Sequence, residues 1–224
     1  MRATSLTLLL TVSSLAFSPL ANAHDDEDHG PKNGDIQQLH DLEDFDQIEI
    51  RGVYRLNVTA GQDYRVFTSG QSKEVEDMKV YVKDGILVLD QDQDKKKKIN
   101  NRDGVWADIS LPSLNGVDIT GVGTGDIMRV NSERFSLDVS GVGELEIAGL
   151  CGSLDASMRG VGEINASGLE CKNADVSLKG VGEVSIFASE SVDVSAKGIG
   201  EVNVYGKPGR VEKSKGFLSG VKVH

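Results

Sequence analysis

The chain has 224 residues, of which 35 are acidic and 24 are basic, and its formal net charge is −11. This acidic balance argues against nucleic acid and anionic membrane surfaces as partners, because both would repel the protein. The 26 glycines lack the strict period of collagen and accompany only four prolines, so one compact β domain with repeated glycine corners is predicted.

Residues 1–23 have the pattern of a secretory signal peptide. Arg2 gives a positive start, residues 6–17 form a short apolar stretch, and Ala-Asn-Ala at residues 21–23 is a small-residue cleavage site. The apolar stretch is too short to span a membrane well, and no later segment is long and apolar enough. We therefore expect an exported protein without a transmembrane segment, located in the periplasm, secreted, or at the cell surface.

Residues 24–43 form an acidic segment that we expect to be flexible. Its tract from His24 to His29 contains two histidines and four acidic residues. Such a tract could hold a metal ion weakly, although a solvated tail is the commoner outcome.

Residues 44–224 are predicted to form a single domain that begins with an irregular β region. Short alternating stretches occur at residues 45–50 and 54–58, and residues 105–111 form a further strand before Pro112. Residues 78–82 and 86–89 are joined through Asp84-Gly85, which is typical of a β-hairpin.

A repeated pair of glycines around one aliphatic residue then dominates the sequence. The pairs start 20, 19, 20 and 18 residues apart, which predicts a repeat architecture with regular coils over residues 117–206. Apolar residues alternate with polar ones on both sides of each pair, so the coils are predicted to be strands with one buried face. Two glycines permit a positive φ or a close backbone approach, and we expect them to form the corner of each coil. The glycines are Gly121 and Gly123, Gly141 and Gly143, Gly160 and Gly162, Gly180 and Gly182, and Gly198 and Gly200.

Equivalent strands of successive units run in the same direction, so we expect them to stack about 4.8 Å apart with like residues in register. The aliphatic residues between the glycines are predicted to form a ladder inside the stack. They are Val122, Val142, Val161, Val181 and Ile199.

The outer face of the stack is predicted to carry charged ladders. Glutamates follow the second glycine in the last four pairs, and basic residues precede the first glycine in the last three. We expect a solvated salt-bridge face here, with a divalent-cation site or a partner-binding surface as alternatives. The residues are Glu144, Glu163, Glu183 and Glu201, with Arg159, Lys179 and Lys197.

Two cysteines lie one coil apart, at Cys151 and Cys171. Stacking would bring their Cα atoms close enough for a disulfide, and an exported protein meets an oxidising compartment, so a disulfide is predicted, with two buried free thiols as the alternative. A catalytic thiol is not expected, because the four histidines all lie outside the repeats.

Aspartates recur before the glycines of every unit, and a pair of carboxylates is what a glycoside hydrolase uses. A repeated position indicates a structural role, since a catalytic pair should break the repeat. Calcium-stapled rolls have a nine-residue period, which is absent here, although weak calcium binding at the glutamates stays open. The aspartates are Asp118, Asp138, Asp155, Asp175 and Asp193.

The motifs as a set resemble the GIN domain family, the head domain of putative auto-transporter adhesins. The resemblance rests on Leu-Pro-Ser-Leu at residues 111–114, the repeated Gly-Val-Gly-Glu corners, and Val-Tyr-Gly-Lys-Pro at residues 204–208. It extends from about residue 45 to residue 223. It implies a right-handed parallel β-helix, or a closely related β-solenoid with about 18–20 residues per coil, on an exported bacterial protein, and it brings no catalytic residues.

These observations favour a non-enzymatic binding or structural module of the bacterial cell envelope, adhesin-like, which presents an acidic outer face to an envelope or surface protein or a glycan. No cofactor is expected. The alternatives are a polysaccharide-active β-helix enzyme and a weak calcium-binding protein.

Overall fold

The computed structural model describes residues 35–91 and 104–224. The predicted signal peptide and the tract from His24 to His29 lie outside these residues. The described part is almost entirely β structure, which confirms the predicted all-β class. Its strands are β1 (Ile36–His40), β2 (Gln47–Ala60), β3 (Arg65–Gly70), β4 (Met78–Lys83), β5 (Ile86–Gln91), β6 (Val105–Leu111), β7 (Gly116–Leu178), β8 (Val181–Ala196), β9 (Ile199–Tyr205), β10 (Arg210–Lys215) and β11 (Ser219–Val223), and one short helix, α1 (Ser72–Asp77), lies between β3 and β4.

Parallel pairing of segments one repeat apart builds most of the sheet. Val161 of β7 lies opposite Val181 of β8, which in turn lies opposite Ile199 of β9. The long strand β7 also stacks on itself, since a Cβ on its Gly141 would come 1.8 Å from the carbonyl oxygen of its Gly121. Equivalent residues of successive units therefore lie side by side, and we call each such segment a rung.

One rung precedes the repeats that the sequence analysis identified. β2 pairs in parallel with the start of β7, and its Gly52 and Val53 lie opposite Gly121 and Val122. The second glycine is replaced by Tyr54, which lies opposite Gly123. The stack therefore begins about 70 residues earlier in the chain than the glycine pairs indicate.

The N-terminal end makes the sheet mixed rather than parallel throughout. β6 pairs in parallel with β2, but β3 pairs antiparallel with β6, and β1 pairs antiparallel with β3. β1 belongs to the predicted N-terminal segment of residues 24–43. The predicted hairpin is confirmed, since β4 and β5 pair antiparallel through Asp84 and Gly85, which both have positive φ.

At the C-terminal end, β10 pairs in parallel with β8 and β11 pairs in parallel with β9. Lys213 and Lys215 of β10 lie opposite Val194 and Ala196, which face the core. Charged side chains at inward positions of an edge strand oppose the addition of another strand.

The core is one continuous cluster of mostly aliphatic side chains with a few aromatic ones, contributed by inward positions along the stack, including Ile48 in β2 and Val204 in β9. Phe45 and Phe135 are its largest fully buried members. No helix in the described residues is long and apolar enough to cross a membrane.

Candidate functional site

The glycine pairs lie where a side chain would collide with the backbone of the preceding rung. A Cβ on any of the ten glycines would come within 2.0 Å of a backbone carbonyl oxygen of the preceding rung. For Gly162 the oxygen belongs to Gly143, the distance would be 1.8 Å, and φ is +150°. Only glycine fits such a position, because the atom in the way is backbone and the φ value strains an L side chain.

The predicted corners at these glycines are not breaks between strands, except at two positions. Only Gly180 and Gly198 lie in the short gaps that separate β7 from β8 and β8 from β9. Gly182, for example, lies within β8, in register with Gly162 on one side and Gly200 on the other. A Cβ at Gly182 would come 1.8 Å from the Gly162 carbonyl oxygen, and φ there is +149°. Strand pairing therefore continues through the glycines, because the close backbone approach that they permit keeps the rungs hydrogen-bonded.

The aliphatic residues between the glycines point outward, so the predicted internal ladder is wrong. Their side chains are about half exposed: Val122 48%, Val142 50%, Val161 50%, Val181 45% and Ile199 52%. The reason is the strand period of two, which places the last four of them on the same face as the glutamate two residues later and Val122 on the same face as Thr124. The inward positions belong to the glycines and to residues such as Leu145 and Ile147, which are buried.

The predicted glutamates lie on the outer face, one above another. Glu163, Glu183 and Glu201 are in register across β7, β8 and β9. Glu144 follows Gly143, over which Gly162 is stacked, so it continues the column by one rung. At a spacing of about 4.8 Å, neighbouring carboxylates would repel by about 0.9 kcal/mol in water before screening by salt.

The predicted cations lie on the same face but do not pair with these glutamates. The Arg159 guanidinium binds Asp138 at 2.7 Å. Lys179 and Lys197 are exposed and, within the described residues, form no ion pair. Glu201 is instead bound by Lys222 of the next rung at 2.7 Å. We call the three adjacent columns, formed by the cations, the aliphatic residues and the glutamates, the ladder face.

The predicted disulfide is confirmed. Cys151 and Cys171 are bonded, their Cα atoms are 4.5 Å apart, and 20 residues separate them in the sequence. The bond joins two adjacent rungs beside the core.

The recurring aspartates occupy two columns rather than one. Asp138 precedes Gly141 by three residues, whereas Asp155 precedes Gly160 by five, and Gly160 lies directly over Gly141. Asp118 lies opposite Glu49 in the first column. Burial and the neighbouring charges of Asp138 and Glu49 raise the pKa of Asp118.

The second aspartate column lines a surface groove of about 670 Å³ that the sequence analysis did not identify. We call it the polar groove. Its lining includes the carboxylates of Asp155, Asp175, Asp193 and Glu212, the polar side chains of Ser153, Asn173 and Ser191, and the guanidinium groups of Arg134 and Arg210. The groove crosses successive rungs, because Asp175 lies opposite Asp193 and Asp193 lies opposite Glu212.

The polar groove carries an excess of negative charge, because four carboxylates line it beside two guanidinium groups. Burial and the charges of Asp155 and Asp193 raise the pKa of Asp175. Arg210 pairs with Glu212, but none of the three aspartates forms an ion pair in the part of the chain that the structure describes. Ser191 donates a hydrogen bond of 2.6 Å to the Asn173 side-chain oxygen.

A smaller pocket of about 230 Å³ lies beside the glutamate column, lined by Asp126, Glu144, Glu146 and Glu163 among others. Across residues 35–91 and 104–224, no group of three or more His, Cys, Asp or Glu side chains is arranged to hold a metal ion.

The chain is similar to one protein family and to several proteins of known structure. A family model described as "Putative auto-transporter adhesin, head GIN domain" matches residues 44–208. The crystal structure of a putative adhesin from Bacteroides fragilis is similar, with 25% sequence identity and a TM-score of 0.69, over 87% of this chain and 99% of that one. A putative cell adhesion protein from Clostridium sporogenes is 17% identical with a TM-score of 0.44, over 84% and 98% of the two chains. A putative adhesin from Parabacteroides merdae is 13% identical with a TM-score of 0.45, over 86% and 96%. No curated protein sequence matches significantly.

Proposed function

Because the chain belongs to the GIN domain family of putative auto-transporter adhesin heads, we propose that it is a non-enzymatic binding module of the bacterial cell envelope. It acts after export, in the periplasm, secreted, or at the cell surface. The family match and the name of the Bacteroides fragilis relative support an adhesin-like role. The signal-like pattern of residues 1–23 supports export.

We also propose that the stacked rungs form a right-handed parallel β-solenoid with 18–20 residues per coil. The parallel registers of β7 with β8 and of β8 with β9 support this architecture. Stacked repeats give an extended surface on which the same side chains recur at regular intervals, which suits the binding of an elongated partner.

The polar groove is the observation that carries the functional proposal. The groove is lined by three aspartates that form no ion pair within the described residues and by Ser and Asn side chains that can form hydrogen bonds. Such a groove combines apolar contact area with a few oriented polar groups, which is the usual composition of a binding site. Its negative charge selects a partner that is positively charged or rich in hydroxyl groups, on an extended surface protein or a glycan.

Binding of a cationic glycan tests this proposal. A fluorescently labelled chitosan hexamer should bind the secreted form of the chain, and its affinity should fall as the salt concentration rises. The triple substitution Asp155→Asn, Asp175→Asn and Asp193→Asn should weaken this binding at least tenfold, because it removes the unpaired charge of the groove.

A control variant separates the groove from the overall charge of the protein. Glu144→Gln, Glu163→Gln and Glu183→Gln remove the same number of charges from the ladder face. This control should bind the hexamer within about twofold of the unmodified protein. If both variants lose binding equally, or if neither loses it, the polar groove is not the binding site. Turnover of an acidic polysaccharide by the protein would refute the non-enzymatic role.

No resident cofactor is part of the proposal. We expect calcium to bind the glutamate column only weakly, because no preformed group of ligands is present in the described residues. A ligand that binds only the folded state raises the thermal midpoint, so the midpoint measures this binding. One millimolar calcium should therefore move the midpoint by less than about 1 °C.

A further inference from the structure

An uninterrupted aliphatic column runs along the ladder face. Its five half-exposed members lie on consecutive rungs, and Leu218, 60% exposed, extends it to the last one. The Gly200 amide donates a hydrogen bond to the Leu218 carbonyl, which places Leu218 next to Ile199. Six rungs at about 4.8 Å give a column about 24 Å long between its first and last members. A contiguous exposed apolar strip with a polar border indicates an interaction surface.

Opposite charges border this column on its two sides, within the same rungs. In three consecutive rungs a cation lies two residues before the aliphatic residue and a glutamate lies two residues after it. These triplets are Arg159-Val161-Glu163, Lys179-Val181-Glu183 and Lys197-Ile199-Glu201. All of their side chains lie on the outer face, and the strand rise places the two charged columns about 13 Å apart.

This arrangement is complementary to itself under only one kind of two-fold symmetry. A two-fold axis parallel to the stacking direction exchanges left and right but keeps each rung at its own height. The cation of each rung then faces the glutamate of the same rung in the second copy, and the aliphatic columns face each other. A two-fold axis along the strands would instead place cations against cations and glutamates against glutamates.

We propose that the ladder face is a dimer interface between two copies of this chain, related by a two-fold axis parallel to the stack. The three rungs place six cation–glutamate pairs across the interface, and the aliphatic columns meet along its centre. Lys179 and Glu183 form no ion pair within the described residues of one copy, whereas Arg159 and Glu201 would share their present partners Asp138 and Lys222. The proposal goes beyond the binding role of the polar groove and does not depend on it.

The size of the face sets the expected strength of the dimer. A footprint of about 30 Å by 18 Å buries about 540 Å² on each copy and about 1,100 Å² in total, near the lower limit of specific interfaces. We therefore expect a reversible dimer with a dissociation constant on the order of 10–100 μM.

Sedimentation velocity of the secreted form between 1 and 500 μM tests the proposal. The sedimentation coefficient should rise from the monomer to the dimer value over this range. Val161→Asp should abolish the rise without changing the thermal midpoint, because the Val161 side chain is already half exposed to water. A monomer at every concentration would overturn the proposal.

Charge exchange on one rung tests the symmetry. Lys179→Glu alone and Glu183→Lys alone should each weaken the dimer at least tenfold, because every altered pair then joins like charges. An equimolar mixture of the two variants should associate, since the new carboxylate at position 179 of one copy faces the new amine at position 183 of the other. The double variant in one chain should likewise restore the dimer. Failure of both the mixture and the double variant to associate would overturn this geometry.

Glu170→Lys and Lys172→Glu provide the matched control. Both residues are exposed, they are two positions apart, and they lie outside the ladder face. Neither substitution should change the dissociation constant by more than about twofold. An effect as large as that of the variants at 179 and 183 would mean that net charge, and not the ladder face, controls association.

Discussion

Gly162→Ala should destabilise the protein strongly, although it adds only one methyl group. The new Cβ would lie 1.8 Å from the carbonyl oxygen of Gly143. Real Cβ atoms stay at least 3.0 Å from such an atom, so the two rungs would have to separate by about 1.2 Å. Ladder hydrogen bonds of about 2.9 Å do not survive that displacement.

The cost can be estimated from two contributions. Two lost ladder hydrogen bonds account for about 2 kcal/mol, and an alanine forced to the φ of +150° at Gly162 adds about 1–2 kcal/mol. The free energy of unfolding should therefore fall by about 3–4 kcal/mol, which corresponds to a decrease of about 10 °C in the thermal midpoint for a domain of this size. Urea unfolding followed by far-ultraviolet circular dichroism measures the change.

Gly209→Ala is the control for this experiment. The nearest atom to a Cβ at Gly209 is the Glu190 carbonyl oxygen, 3.8 Å away, and φ is not positive. Its free energy of unfolding should stay within about 0.5 kcal/mol of the unmodified protein. The reasoning is refuted if Gly162→Ala is equally mild, or if Gly209→Ala is equally damaging.

Three further predictions concern the disulfide, the groove and the C-terminal edge. Replacement of Cys151 and Cys171 by serine should lower the free energy of unfolding by about 3 kcal/mol, because the unfolded chain gains the freedom of a 20-residue loop; an unchanged urea midpoint would contradict this. Asp175→Asn should stabilise the protein at pH 7 by about 0.5–1 kcal/mol after screening. The raised pKa of the Asp175 carboxyl means that the folded state holds the proton more tightly than the unfolded chain, so the stability of the unmodified protein falls as the pH rises through that pKa. The advantage of the variant should therefore vanish below the ordinary value of 3.8, and equal gains at pH 3 and pH 7 would contradict this prediction. Lys213→Val should cause concentration-dependent aggregation detectable by light scattering, because it makes an inward position of the edge strand β10 apolar; a variant that stays as dispersed as the unmodified protein would show that this lysine does not protect the edge.

The repeat made much of the stack predictable from the sequence. The spacing of the glycine pairs gave the register of β7, β8 and β9, and the 20-residue separation of Cys151 and Cys171 gave the disulfide. Both follow from one physical fact, that parallel rungs place equivalent residues side by side. The orientation of Val142 was predictable too, because an outward Glu144 fixes it by the period of two.

Other features depend on contacts that a repeat pattern does not contain. The rung in β2 was missed because Tyr54 replaces the second glycine and because residues 61–115 intervene. The polar groove was missed because the two-residue offset before Gly160 divides the aspartates into two columns. Which aspartates share a column depends on how the rungs pair at the glycines.

The resemblance between neighbouring rungs also has a consequence for the size of the molecule. Strand pairing joins each rung of the repeats to the rungs beside it, so the positions that determine how one rung joins the next are equivalent throughout the middle of the stack. The stack can therefore be lengthened one rung at a time. Duplication of one 20-residue segment in the middle would extend the polar groove by about 4.8 Å and leave both ends of the stack as they are.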